Sequence, residues 1–171
     1  MFSINAKNIS IAGLVFLAGC SSMPEQQIEE AWWLNKTFKA APMVEDSPFQ
    51  HNQLQWTHVS VFNDAFLEKN LTQSQYQYVE ESSLVPSLKS DLNHDGEDET
   101  LVVGVYKSKN SEGRFLSVLN NNGDVERTFA LQGKTGFSGL LQDGQLVRWY
   151  TCMACDNYGV IRWNGSSFVM E

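Results

Sequence analysis

The spacing of apolar residues along this chain changes character three times. Ile9 to Ala18 is close to continuous, with Ile9, Ile11, Ala12, Leu14, Val15, Phe16 and Leu17 broken only by Ser10 and Gly13. Ten residues at about 1.5 Å rise span roughly 15 Å, half of a hydrocarbon core, so the run is too short for a spanning helix. Over Glu25 to Lys39 the spacing becomes helical: Ile28, Ala31, Trp32 and Asn35 share one face, and Trp33 and Leu34 widen it. Acids come early (Glu25, Glu29, Glu30) and lysines late (Lys36, Lys39), as the helix dipole favours. Residues 40–55 hold two prolines and no clear period, and read as loop. A second helix is predicted over Val59 to Asn70, where Val59, Phe62 and Phe66, with Val61 and Ala65, form a broad stripe.

From about Tyr76 the pattern turns to short apolar and β-branched runs. They are YQYV (76–79), TLVVGVY (100–106), RFLSVL (114–119), VERTFAL (125–131), FSGLL (137–141), QLVRWY (145–150), YGVIRW (158–163) and SFVM (167–170). Turn-forming segments separate them, among them NNNGD, QDG and NGS, and Asn-Gly or Asp-Gly between such runs is a strong hairpin signal. No repeat of constant period is present, so the sequence does not support a full propeller. The expected fold class is α+β: a mainly helical segment over 25–75, then a β-rich segment over 76–171 of the same globular domain. The predicted sheet is an antiparallel meander of six to eight strands, its apolar face covered by the N-terminal helices.

Charge and cysteine content narrow the classes. The chain has 20 acidic and 12 basic residues and a net charge of −8. Residues 1–19 hold Lys7 and no acid, so the remaining 152 residues carry −9, enough for one domain and of the wrong sign for nucleic acid. Asp91, Asp95, Glu97, Asp98 and Glu99 put a quarter of the acids into nine positions.

Met1–Asn8 (polar, with Lys7), the apolar run, and small residues before Cys20 follow the order of a secretory signal. Leu17-Ala18-Gly19-Cys20 resembles the lipobox of bacterial lipoproteins. The resemblance implies a cleaved signal at 1–19, a diacylglycerol thioether and an acylated amine on Cys20, and a short tether over 20–24. Several acyl chains at about 0.8 kcal/mol per buried methylene make such an anchor permanent. Ser21, rather than Asp, after Cys20 favours the outer membrane of a Gram-negative cell by analogy with lipoprotein sorting.

Residues 91–99 read Asp-Leu-Asn-His-Asp-Gly-Glu-Asp-Glu. Side-chain oxygens fall at Asp91, Asn93, Asp95 and Glu99, Gly96 supplies a bend, and Glu97 would offer its backbone carbonyl. Calcium takes six to eight such oxygens. Val102 stands where an EF-hand needs a bidentate Glu, and a strand pattern follows instead of a helix. The segment resembles the calcium loop of FG-GAP and VCBS-type repeats, which feeds directly into a strand. That resemblance covers Lys89 to Val103 and implies a structural calcium ion. Those families carry several copies and this chain has one. The competing reading is a solvated acidic turn.

With Cys20 assigned to lipid, Cys152 and Cys155 form an even pair in an oxidising compartment, and a structural disulfide is expected. A redox-active pair, free thiols or a metal site are the alternatives; the strand patterns on either side lack the βαβ setting of thioredoxins. His51, His58 and His94 are scattered, and no hydrolase, zincin or nucleotide fingerprint occurs, so no catalytic residue is assigned. Trp149, Tyr150 and Trp163 are read as core, with a carbohydrate- or peptide-binding face as the alternative. The expected function is a non-catalytic, calcium-stabilised binding or structural module on the envelope, with a protein or glycan partner. The alternative is an envelope enzyme, a hydrolase with carboxylates distant in sequence or a thiol–disulfide exchanger using Cys152 and Cys155.

Overall fold

The computed structural model describes residues 32–45, 47–51, 55–152 and 157–171. The predicted signal, Cys20, the tether and the first part of the predicted Glu25–Lys39 helix lie outside the described residues. The helices are α1 (Trp32–Asn35), α2 (Asp64–Asn70) and α3 (Gln73–Glu81), with a 3-10 turn at Pro48–His51. The strands are β1 (Trp56–Val61), β2 (Ser87–Ser90), β3 (Glu99–Ser108), β4 (Glu112–Leu119), β5 (Val125–Gln132), β6 (Gly139–Asp143), β7 (Leu146–Tyr150), β8 (Tyr158–Trp163) and β9 (Phe168–Met170). None of these helices is long and apolar enough to cross a membrane.

Three expected elements differ from what forms. The first predicted helix stops at Asn35 instead of Lys39, because the chain then extends and Phe38 N–H donates to Thr135 O (2.7 Å). Phe38 and Ala40 are buried at strand-like spacing, so pairing with distant backbone overrides the helical pattern. The predicted helix over Val59–Asn70 is two elements. Val59 and Val61 lie on β1, and the helix begins only after Asn63, whose side chain accepts from Phe66 N–H (2.8 Å) as an N-cap. The predicted strand at Tyr76–Val79 lies inside α3. There Thr72 Oγ1 accepts from Gln75 N–H (3.3 Å) and Gln75 Oε1 from Thr72 N–H (3.2 Å), a capping box that outweighs the strand preference of two tyrosines and a valine.

The remaining predicted strands all form, in two antiparallel sheets rather than one. The first runs β1-β3-β4-β5, with β2 also paired to β3. β1 pairs along Gly104–Ser108 and β2 along Glu99–Val102, so the two share one edge of the ten-residue β3. The second sheet is the meander β6-β7-β8-β9. Val85 and Leu140 exchange both backbone hydrogen bonds (2.9 and 2.8 Å), which ties the entry of β2 to β6. The fold is therefore α+β in which antiparallel strands dominate, with nine strands among the described residues.

One core serves both sheets. Leu101, Val103, Val105, Leu116 and Val118 of the first sheet join Leu140, Val147, Trp149, Ile161 and Phe168 of the second. Leu67 of α2, Leu71 just after it and Val79 of α3 complete it, so the helices add to a core that the sheets largely build. A smaller cluster (Phe49, Trp56, Tyr106, Phe115) covers the opposite face of the first sheet. In it Trp56 stacks on Tyr106 with ring centroids 4.5 Å apart.

Candidate metal centre

The acidic loop connects β2 to β3 and is folded by its own side chains. Asp91 accepts from Asp95 N–H on Oδ1 (3.1 Å) and from Gly96 N–H on Oδ2 (3.1 Å). Asn93 Oδ1 accepts from Asp95 N–H (2.9 Å), and Asp95 Oδ1 accepts from Glu97 N–H (2.8 Å). Asn93 Nδ2 donates to Asp95 Oδ2 (2.8 Å). Asp and Asn recur at such spacing because a short oxygen-bearing side chain reaches the amide two residues on. The backbone bends through His94 (φ +62°) and Gly96 (φ +91°), a region where Gly costs nothing and His is strained.

Glu99 is the exception among the expected ligands. It opens β3 and is 3% exposed, against exposed Asp95 and Glu97. Its Oε2 accepts from Leu92 N–H (2.8 Å), which fastens the end of the loop to its beginning. Burial pushes the Glu99 carboxyl above its ordinary value, and the Leu92 amide opposes that shift. The sequence marked Glu99 as a ligand by spacing; its burial follows from sitting beside Leu101 at the head of a core strand.

Asp91, Asn93 and Asp95 thus belong to one turn with Glu99 on the strand that follows, and their side chains offer oxygens, a donor type that suits calcium rather than zinc. Against a preformed chelate stands the way the loop amides already occupy these oxygens. Among the described residues no three His, Cys, Asp or Glu side chains are gathered as metal ligands. His94 is exposed in the loop, as are Asp95 and Glu97.

Cys152 is disulfide-bonded and 8% exposed within the core; Cys155, its expected partner, lies outside the described residues. Trp149 is 1% exposed in the core, and Trp163 packs on Phe168 at its margin (4.9 Å). Tyr150, which alternates with Trp149 along β7, is likewise partly buried against the core and stands beside Tyr158 (5.0 Å). Arg148 lies over the Tyr158 ring (4.7 Å) and ion-pairs with Asp143. The sequence signal for this cluster was the alternation of Arg148 and Tyr150 with the core residues Val147 and Trp149. Comparison of the chain with protein-family models, with curated proteins and with solved structures found no match.

Proposed function

We propose that this chain is a lipid-anchored envelope lipoprotein, held through Cys20 at the outer membrane of a Gram-negative cell. It acts there as a non-catalytic, calcium-stabilised module that binds a protein or glycan partner or supports the envelope. The observation that carries the calcium reading is the ordered loop, in which Asp91 and Asp95 bend around Gly96 and enter β3 through buried Glu99. Carboxylates crowded into nine residues repel one another, and a divalent cation relieves that repulsion while engaging lone pairs the amides leave free. Asp91, Asn93, Asp95 and Glu99 would hold the ion by side chains and Glu97 by its carbonyl. The half-exposed cluster of Tyr150, Tyr158 and Arg148 supports the binding role, since tyrosine and arginine anchor many interfaces.

The test is thermal. Calcium at about 100 times its dissociation constant stabilises by roughly 2.7 kcal/mol, a shift of several degrees for a domain of this size. Chelation should lower the melting temperature, and Asp95→Ala should remove that sensitivity. A melting curve indifferent to both calcium and chelator rejects the ion. The anchor is checked separately: labelled palmitate should enter the wild-type chain in cells and not Cys20→Ala.

A further inference from the structure

We propose that a cavity between the 37–40 segment and the β1–β3–β4 corner binds a small phosphate monoester that also carries a hydroxyl group. The site is distant in the fold from the acidic loop and independent of the anchor. The cavity measures about 300 Å3 and is lined by Phe38, Lys39, His58, Lys107, Glu112 and Thr135, among others. At roughly 30 Å3 per water-sized group, it holds about ten non-hydrogen atoms.

Its walls are fixed before any ligand arrives. Phe38 N–H donates to Thr135 O (2.7 Å), Val59 N–H to Ala41 O (2.8 Å) and Ala41 N–H to Ser60 Oγ (3.0 Å). A preformed wall spares the ligand the cost of ordering it. His58, Lys107 and Glu112 stand side by side across β1, β3 and β4, since His58 is opposite Lys107 and Lys107 opposite Glu112.

Two features leave this row available. The ion pairs among the described residues are Arg148–Asp143 and Arg162–Glu171, so neither Lys39, Lys107 nor Glu112 has an ionic partner there. Thr57 Oγ1 donates its one proton to Lys107 O (3.1 Å), so its 2.9 Å contact with His58 Nδ1 has the ring nitrogen as donor. That holds the imidazole by one edge with its proton on Nδ1 and leaves Nε2 as an acceptor for a ligand hydroxyl.

The chemistry of the lining selects the class. Two ammonium groups suit dispersed phosphate oxygens, and His58 Nε2 accepts from a ligand hydroxyl; the guanidinium fork that pairs bidentately with a carboxylate is missing from the lining. Glu112 repels a bare dianion and accepts from a hydroxyl, which favours a hydroxylated ester over inorganic phosphate. Such a group occurs free or as a lipid headgroup.

Calorimetry on the full chain separates these cases, with glycerol 3-phosphate as the free ester, hexanoyl lysophosphatidate, which keeps one hydroxyl, as the lipid headgroup, and inorganic phosphate and glycerol as controls. Saturable binding of either ester is expected, and the tighter one names the source. Lys39→Gln with Lys107→Gln, both exposed positions, should weaken it by about tenfold or more. Glu112→Gln should narrow the preference for ester over inorganic phosphate. No saturable heat up to about 10 mM ester, near the weak limit of specific binding, overturns the proposal. So does unchanged affinity in the double lysine variant.

Discussion

The two sheets are built from the same kind of strand, yet the central strands of one are buried on both faces and those of the other on one. In β3, Leu101, Val103 and Val105 enter the shared core while Val102, Gly104 and Tyr106 face the Phe49–Trp56–Phe115 cluster. That double burial is why residues 100–106 read as an almost unbroken apolar run. In β7, Val147 and Trp149 are buried while Arg148 and Tyr150 are half-exposed, and the sequence alternates accordingly. Run against alternation therefore reports how many faces are covered. The second sheet keeps that face for arginine, tyrosine and ion pairs, whereas around β3 of the first sheet the Phe49–Trp56–Phe115 cluster fills it.

The largest effect is expected where the one-sided sheet meets the core. Trp149→Ala removes a fully buried indole and should cost about 3–5 kcal/mol in urea unfolding. Its Nε1 is buried with no hydrogen-bond partner among the described residues. Trp149→Phe discards that donor while keeping most of the packing, so its cost should be far smaller. An alanine variant that loses less than about 1 kcal/mol would mean the second sheet does not share the core.

A paired substitution asks the same question of each sheet. A Cβ at Gly104 would stand 2.2 Å from Ser60 O of β1 and 2.8 Å from the Phe115 ring. Backbone cannot yield there, so Gly104→Ala should cost about 1–3 kcal/mol. A Cβ at Gly159 would meet Met170 Sδ at 2.8 Å, the far part of a flexible side chain that can turn aside. Gly159→Ala should therefore cost well under about 1 kcal/mol. Equal losses in the two variants would mean that Met170 is held at the core margin as firmly as the β1 backbone beside Gly104.

This contrast also explains what was legible in the sequence. Seven of the eight predicted runs became strands because their apolar spacing and the Asn-Gly and Asp-Gly turns agree. The exceptions are places where a few polar atoms decide. At Tyr76–Val79 the Thr72–Gln75 box set the helix, and at Val59–Val61 the cap at Asn63 cut a strand from a helix. β2, with Ser87, Lys89 and Ser90, has too little apolar content to announce itself and forms by pairing with β3. The acidic loop was visible as spacing, since Asx turns depend on local residue type. Glu99's burial was not, because it arises from tertiary packing. The lysine–imidazole–carboxylate row was invisible for the same reason: His58, Lys107 and Glu112 meet only through strand register.

The outer face of the second sheet should contribute least to stability, and pH reads that contribution directly. Arg162 Nε donates to Glu171 Oε2 (3.0 Å) and Nη2 ion-pairs with Oε1, both side chains being largely exposed. The hydrogen bond from Arg162 holds the Glu171 carboxyl below its ordinary 4.5. A carboxyl lowered on folding adds stability that is complete above its unfolded value and disappears as pH falls through the folded one. Wild type should therefore lose a small increment below about pH 4.5 that Glu171→Gln lacks, and added salt should shrink it. If Glu171→Gln keeps the wild-type slope, the pair does not fasten β8 to the chain end. If the increment rivals the Trp149 loss, the outer face is structural rather than free for a partner. A small, salt-sensitive difference leaves the face as a surface whose tyrosines and arginines are available for recognition.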